Sequence, residues 1–471
     1  MARARSVKRS SATPSESVVD AVSPTAAASD VWFGSFSSPL DRFVRTLAGP
    51  LILLLATPVF VNVAALAALR HGSSLFALAG SYDTPWALLE TAFPTPSLPV
   101  ALSFFGFVAF EALLLIFLPG KIFAGAIAPS GFTPSFRANG GAALVVSCAA
   151  AVALVRADLV DASAIYDHAL ELLTLLNGSA LLLAVALALK GVYAPSTRDA
   201  GLENGLVFSV YWGVELYPSC FGLELKQLLI SRVGMMSWFF TTASCAAAAV
   251  RAHGGTATPA LVASAGLNLL YVSKFFLAFE RDYLKAADIA VDRMGFMLVW
   301  GPLCFMPLVH NLQTFHLVSH DGLALSWWAV CAWLAVGLLS IWSNFDADTQ
   351  RHAVRAVGGK CLVWGRPATF IRAPYFDGDG RRHENLLLTC GWHGLGVRHF
   401  HYAPDILLLF LYCAPSGSVL EVPLAWSYFF YLTGLLLDRC ARIDARCHAK
   451  YGAAWEKYVA AVPHKLIPGI W

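Results

Sequence analysis

LSWWAVCAWLAVGLLSIWSNFDADTQRHAVRAVGG, residues 325–359, is the stretch that decides the fold. Residues 325–343 form an apolar run close to the ~20 residues that cross a hydrocarbon core as a helix. Beyond Asn344 the composition turns polar, and the first strong helix stop is Gly358-Gly359. If the helix continues past the membrane, Gly358-Gly359 stops it. Arg351 and Arg355, four residues apart, then share a face of that extension. A segment that only anchors a protein has little use for such cations beside apolar runs, whereas a membrane enzyme that holds a polyanionic nucleotide beside a lipid substrate needs them.

The rest of the chain has the same character. Of 471 residues, 57% are hydrophobic and only 13% charged, with a mean hydropathy of +0.62; soluble domains carry about 25% charged residues. No soluble core absorbs that much apolar surface, so the chain is expected to be an all-α polytopic membrane protein. Apolar windows fall at 46–69, 98–118, 141–155, 169–190, 235–251, 258–280, 296–319, 325–343, 403–414 and 421–437, or roughly eight to ten spans. Residues 156–168 and 191–232 read as polar or mixed connectors. Residues 369–388 read as a small hairpin around Asp377-Gly-Asp-Gly, and Asp438 to Tyr458 as a last helix with a basic stripe of Arg439, Arg442, Arg446 and Lys450.

The net charge of +3 is too small to argue for nucleic acid; its distribution says more. Between residues 351 and 400 eight Lys and Arg face three acids, and Arg3, Arg5, Lys8 and Arg9 precede any acid. Both regions are expected in the cytosol. The acid-poor tail of residues 1–40 carries Pro14 and Pro24, and reads as a disordered cytosolic segment rather than a transit peptide. The ten cysteines contain no CxxC pair and read as free thiols.

Phosphate binding of the Rossmann or P-loop type is absent, since Gly394-Leu-Gly396 lacks a third glycine and no Walker loop occurs. A nucleotide would instead be held by arginine pairs, with Trp392, Tyr402 and Tyr458 stacking on its rings. The bland alternative is that these cations touch lipid headgroups. His316 and His320 have metal-pair spacing, but the further histidine boxes of a di-iron hydroxylase are missing, and Asp-Gly-Asp-Gly lacks the other carboxylates of a calcium loop. No metal site is expected. Ionisable residues in apolar runs point to function or to ion pairing. Glu111, Lys274, Glu280 and Asp405 are such residues. Asp405 follows Arg398-His-Phe-His-Tyr402 within two turns, where an acid would deliver a proton between cofactor and lipid.

At these residues the sequence resembles the sterol reductase family of the endoplasmic reticulum, and within it the plant-type Δ7-sterol reductases. The similarity runs from about Phe105 to Trp471. It rests on Leu118-Pro-Gly-Lys121, Tyr211-Trp-Gly-Val-Glu-Leu-Tyr-Pro218, Arg232-Val-Gly-Met-Met-Ser-Trp238, Tyr271-Val-Ser-Lys-Phe-Phe276, Lys360-Cys-Leu-Val-Trp-Gly-Arg366, Arg398-His-Phe-His-Tyr-Ala-Pro404 and Cys447-His-Ala-Lys-Tyr-Gly452. It departs from the family's pattern at Ser219, His393 and Ile443.

The resemblance implies a multi-pass protein of the endoplasmic reticulum membrane that reduces a sterol double bond with NADPH. C7=C8 of a 5,7-diene is the first expectation, with C14 or C24(28) reduction or a non-catalytic sterol-binding protein as alternatives. It implies a bundle over 41–344 with sterol-facing helices, and a cofactor-binding part over 345–471. The expected cofactor contacts are Arg351, Arg355, Leu388, Trp392, His393, Arg398, His401, Tyr402, Arg446, Cys447, His448, Ala449, Lys450, Tyr451 and Tyr458. Asp405 is the expected proton donor, with Tyr271 and Glu280 as alternatives. The expected partners are a sterol within the bilayer and other sterol-biosynthesis enzymes.

Overall fold

A computed structural model describes residues 37–202, 204–376 and 381–471. The amino-terminal basic tail and the Asp377-Gly-Asp-Gly turn lie outside the described residues, apart from the last few residues of the tail. Among the described residues six helices are long and apolar enough to cross a membrane: α1 Pro39–Arg70, α2 Leu98–Phe117, α4 Ala169–Tyr193, α5 Gln227–Ala252, α6 Pro259–Tyr283 and α7 Trp327–Ala356. Two shorter apolar helices, α3 Gly140–Arg156 and α8 running from Tyr402 to Cys413, join them, and α9 Ser427–Tyr451 and α10 Ala453–Ala461 close the chain. The chain is an all-α, multi-pass membrane protein. Apolar side chains such as Ile52, Leu55, Phe117 and Leu182 face outward, as a lipid solvent allows.

Helix α7 runs unbroken past Asn344 to Ala356 and ends before Gly358 and Gly359, both at positive φ. Three segments differ from the sequence reading. The window 296–319 is not one span: it breaks into Phe296–Trp300, a π-helical turn Gly301–Phe305, Met306–Val309 and Leu312–Ser319. The chain stays helical through Pro302 and Pro307, widened by the π turn, and the break falls at the turn His310–Asn311 between Val309 and Leu312. The connector ends earlier than expected, because Gln227, Ser231 and Arg232 are helical and buried in α5. Their polar groups find partners inside the protein, so polarity does not mark a loop there. Finally, the apolar window 421–437 and the basic last helix form one helix, α9, and the chain breaks at Gly452 (φ 49°) before α10. The expected basic stripe is divided, since Arg439 pairs with Asp288 at 2.6 Å and Arg442 with Asp438 at 2.7 Å.

Sheet is confined to two-stranded pieces. Strands β1 Lys121–Ala124 and β2 Ser135–Ala138 form one hairpin. The hairpin expected over residues 369–388 is β3 Phe370–Phe376 with β4 Arg382–Leu388, antiparallel and in register from Phe370↔Leu388 to Phe376↔Arg382. Its apolar face packs against α10: Ala373 and Leu387 cluster with Trp455 and Tyr458. The ten cysteines are all free.

One buried polar lock holds α2, α3, α5 and α6 together. Arg232 on α5 forms an ion pair with Glu280 on α6, both inaccessible to water. Glu280 also accepts from Ser231 Oγ at 2.8 Å and from the backbone amide of Gly140, at the start of α3, at 2.9 Å. Arg232 Nη2 donates to Asn139 Oδ1 at 2.6 Å. The Asn139 amide in turn donates to the carbonyls of Leu114, Leu115 and Leu118 at the carboxy-terminal end of α2. A side chain at Gly140 would collide with the Glu280 carboxylate and the Arg232 guanidinium. Removing one partner of a buried pair strands the other charge, at a cost of about 3–5 kcal/mol. Glu280→Gln should therefore lower the melting temperature of the detergent-solubilised protein sharply. Unchanged melting would show that the pair holds nothing together.

Candidate functional site

The water-side end of α7 supplies the first wall. Asp348 forms an ion pair with Arg351, one turn later. Asp346 Oδ2 accepts from Gln350 Nε2 at 2.7 Å, Trp392 Nε1 at 2.8 Å and Trp364 Nε1 at 3.3 Å. The Trp392 ring stacks on Phe400 at 4.4 Å and meets the edges of Trp364 and Trp342. Its orientation is thus fixed from two sides. Arg355 reaches the Leu386 carbonyl through Nε at 3.4 Å and lies in the field of Cys447, Tyr451 and Tyr458. Leu388 is buried with Val354, Val363 and Leu386 behind this wall.

The 3-10 turn Gly391–Leu395 and the segment before α8 supply the second wall. His393 is buried; desolvation first, then the nearby Arg351 and Arg355 cations, push its imidazole down to about 3, so it stays neutral. Its Nδ1 has no hydrogen-bond partner, and neither do His401 Nδ1 and Arg351 Nε, all three shut off from water. Two bare imidazole nitrogens and one bare guanidinium nitrogen, all buried, are costly unless a ligand meets them. The third wall is α9 and α10. Tyr451 OH accepts from Asn385 at 2.8 Å, Lys450 sits over the Tyr375 ring at 3.7 Å, and Tyr458 is buried, its hydroxyl pushed up to about 12 by burial.

The structure thus brings Arg351, Arg355, Trp392, His393, His401, Tyr402, Cys447, Lys450, Tyr451 and Tyr458 around one region, with Leu388 behind. It places other expected contacts elsewhere. His448 and Ala449 are on the exposed side of α9, where His448 meets Glu456 at 3.4 Å, whereas Arg446, one turn before Lys450, stays in the charge field of Cys447 and Lys450 at the rim of the region. Arg398 is buried and committed to the protein: Nη2 to Asp444 at 2.8 Å, and Nη1 to the Val462 and Pro463 carbonyls at 2.8 Å each. That clamp fixes the carboxy-terminal tail, which also pairs through Arg398 and His399 amides with His464 and Lys465 carbonyls. Arg398 therefore braces the site and has no free fork for a phosphate.

Toward the membrane the site meets a second group. Asp405 lies in the first turn of α8 with Oδ1 buried and unpartnered. Asn344, on α7, links three helices: its Nδ2 donates to the His401 carbonyl at 2.9 Å and its Oδ1 accepts from Lys274 Nζ, on α6, at 2.8 Å. Tyr271, one turn before Lys274, contacts the rings of Trp238 at 6.0 Å and Tyr412 at 6.3 Å. Tyr271, Lys274 and Asp405 are only partly buried, although their neighbours Val272, Phe275 and Pro404 are buried. Glu280, the other expected acid, stands apart in the Arg232 lock.

Sequence reasoning missed Asn344, Asp346, Asp348 and Asp444. A signal exists for two of them. Asp348 precedes Arg351 by three residues and Asp346 precedes Gln350 by four, the spacings at which helical side chains meet. Among the described residues no three His, Cys, Asp or Glu side chains gather as a metal site. His316 instead contacts Ser73 Oγ at 3.1 Å and stacks on His320 at 4.1 Å.

Asp444 gives a pH test of the clamp. Burial alone raises its carboxyl, but hydrogen bonds from His399 and Arg398 and the guanidinium charge outweigh that and hold it at about 2. A carboxyl depressed in the folded state stabilises it above the ordinary value of about 4, and this is lost as pH falls toward the folded value. Asp444→Asn should therefore lower the melting temperature near neutral pH, and the gap to wild type should narrow as pH falls below about 4. A gap that stays constant over that range would contradict the clamp.

Comparison with known proteins fits this geometry. The family model described as "Ergosterol biosynthesis ERG4/ERG24 family" matches residues 75–471. A 7-dehydrocholesterol reductase of Arabidopsis thaliana is 38% identical over 81% of this chain and 88% of its own length. A Delta(14)-sterol reductase of Methylotuvimicrobium alcaliphilum is 31% identical over 77% of this chain and 81% of its own. A 7-dehydrocholesterol reductase of Xenopus laevis is 28% identical over 78% and 79%. A family match over residues 75–471 and relatives of this similarity lead to one statement: the chain belongs to the ergosterol biosynthesis ERG4/ERG24 family.

Proposed function

We propose that this protein is an NADPH-dependent sterol reductase of the endoplasmic reticulum membrane that saturates C7=C8 of a 5,7-diene sterol. One observation supports the reading: an acid with a bare, buried oxygen, Asp405, stands in the first turn of α8, whose start Asn344 ties to the helix that carries Arg351 and Arg355. The names of the Arabidopsis and Xenopus relatives favour C7=C8. The Delta(14)-sterol reductase of Methylotuvimicrobium makes the C14 double bond the second reading.

The residues present fit the proposed coenzyme. Arg351 and Arg355 would take its phosphates, Trp392, Tyr451 and Tyr458 would flank its rings, and the bare nitrogens of His393 and His401 would meet its polar edges. When bound, NADPH supplies hydride to the sterol. The protein's own part is to make an unactivated hydrocarbon double bond accept it. Asp405 donates its carboxyl proton to one alkene carbon, forming a C–H bond and leaving positive charge on the other. Tyr271 on α6, with the rings of Trp238 and Tyr412 against it, keeps water from capturing that charge. General-acid help of this kind contributes about 10²–10⁴-fold.

Incubating the membrane-bound protein with NADPH and labelled 5,7-diene or Δ8,14-diene sterols tests the reading, because the product names the bond. Sterol binding without any product would favour a non-catalytic sterol protein. Asp405→Asn should lower turnover at least about 100-fold while NADPH affinity stays within a few-fold; near-normal turnover would remove Asp405 from the chemistry. Arg351→Ala combined with Arg355→Ala should weaken NADPH binding about 100-fold or more, at about 1.5–3 kcal/mol per charge-assisted bond, with sterol binding little changed. Equal losses for both ligands would argue against phosphate contacts.

A further inference from the structure

The turn at His310–Asn311, where the window 296–319 breaks, is held by side chains that leave the His310 ring unused. Asn268 Nδ2 and Gln313 Nε2 donate to the His310 carbonyl at 3.2 and 2.7 Å. Asn311 donates to the Pro307 carbonyl at 2.8 Å and accepts from Thr242 Oγ1 at 2.6 Å. The imidazole positioned in this way lies among aromatic rings of other helices. It stacks on Tyr428 of α9 at 3.9 Å and meets Trp238 of α5 edge-on at 4.6 Å. Trp238 in turn contacts Tyr271 of α6 at 6.0 Å, and Tyr412 of α8 contacts both Tyr271 and Tyr428 at 6.3 Å. Within this nest His310 Nδ1 and Trp238 Nε1 have no hydrogen-bond partner among the described residues and are shut off from water. Buried polar atoms are seldom left bare. Leucine and phenylalanine would fill the same space without that cost, so the two nitrogens call for a polar group that arrives with a ligand. Neither the acid step nor the coenzyme contacts use them.

We propose that Trp238 and His310 bind the 3-hydroxyl group of the sterol and thereby set the register of its double bond. The chemistry is complementary. An indole N–H only donates, a ring nitrogen without hydrogen accepts, and a hydroxyl does both at once. The hydroxyl accepts from Trp238 Nε1 and donates to His310 Nδ1. The placement also fits. In a 5,7-diene sterol C7=C8 belongs to ring B, and the hydroxyl is carried by the adjoining ring A. Tyr271, the ring assigned to the acid step, contacts Trp238, and Trp238 contacts His310, so the polar pair stands just beyond the reacting end. Tyr271 is also the partly open member of a group whose other rings are buried, which gives the ligand its approach from that end. This inference rests on the sterol reductase reading and deepens it. A molecule anchored by its one polar group presents the double bond at a fixed depth, which orientation-dependent chemistry requires.

Substrate pairs test this on the full-length protein in detergent. With NADPH present, kcat/KM is measured for a 5,7-diene sterol and for its 3-deoxy analogue, and displacement of a labelled 5,7-diene sterol by each compound is read in parallel. In the wild type the analogue should be poorer by about 10–100-fold in kcat/KM and at least about 10-fold weaker in displacement. In Trp238→Phe and in His310→Leu the hydroxylated sterol should fall toward the analogue, and the ratio of the two should shrink to within about threefold. Each ratio is taken within one protein, so a purely structural role would lower both sterols alike and keep the wild-type ratio; that result would overturn the proposal. Equal handling of the two sterols by the wild type would overturn it without any variant. Failure of the reductase reading is separate: the wild type would then form no product from either sterol, and displacement alone would decide whether the hydroxyl is recognised.

Discussion

A charge within hydrocarbon must be met by another charge, and the Arg232–Glu280 pair is where this protein obeys that constraint most strictly. The pair is not a general stabiliser: two hydrophobic side chains of the same volume would serve stability as well or better. Its value is in specifying position. Glu280 reaches the first amide of α3, Arg232 reaches Asn139, and Asn139 reaches the carbonyls at the end of α2. Glu280 is also separated from Lys274 by a π-helical turn, Phe275–Phe279, on the same helix. Fixing one end of α6 in the lock therefore sets where Tyr271 and Lys274 stand. An alternative packing would leave a bare charge in the apolar interior.

From that anchored helix the site is built outward in two media. On the membrane side the polar atoms are few and come from helices: Tyr271 and Lys274 from α6, Asn344 from α7, Asp405 from α8. On the water side the same α7 continues as a carrier of Asp348, Arg351 and Arg355. The irregular parts (the β3–β4 hairpin, the 3-10 turn and the clamped tail) close around it. One helix thus carries both the Asn344 link to the acid and the cations. Asn344 and Arg351 are seven residues apart, about two turns, so the two halves sit side by side on one face. The Arg398–Asp444 clamp keeps the tail against this arrangement without contacting it chemically.

Much of this was legible in the sequence where a single physical rule dominates. The length of α7 past the membrane follows from a missing helix breaker, and the shared face of Arg351 and Arg355 from their spacing. The hairpin follows from turn chemistry between two β-prone runs. What was not legible depends on partners distant in the chain. Residues 296–319 look like a span because hydropathy does not register the turn at His310–Asn311. Gln227 to Arg232 look like a loop because their polarity is satisfied only by Arg137, Asn139 and Glu280. For the same reason sequence reasoning could not separate a bracing arginine, Arg398, from a ligand-facing one, Arg351. The difference is Asp444 and two tail carbonyls, more than forty residues away.

The central claim is that the two hydrogens added to the sterol have different origins, one as a proton through Asp405 and one as hydride from the coenzyme. Isotope tracing reads this directly. Purified protein is incubated in deuterium oxide with unlabelled NADPH and a 5,7-diene sterol, and the product is analysed by mass spectrometry and NMR. The account predicts a single deuterium, on one carbon of the former double bond, with the other carbon carrying protium. Product with no deuterium, or with deuterium on both carbons, would contradict it.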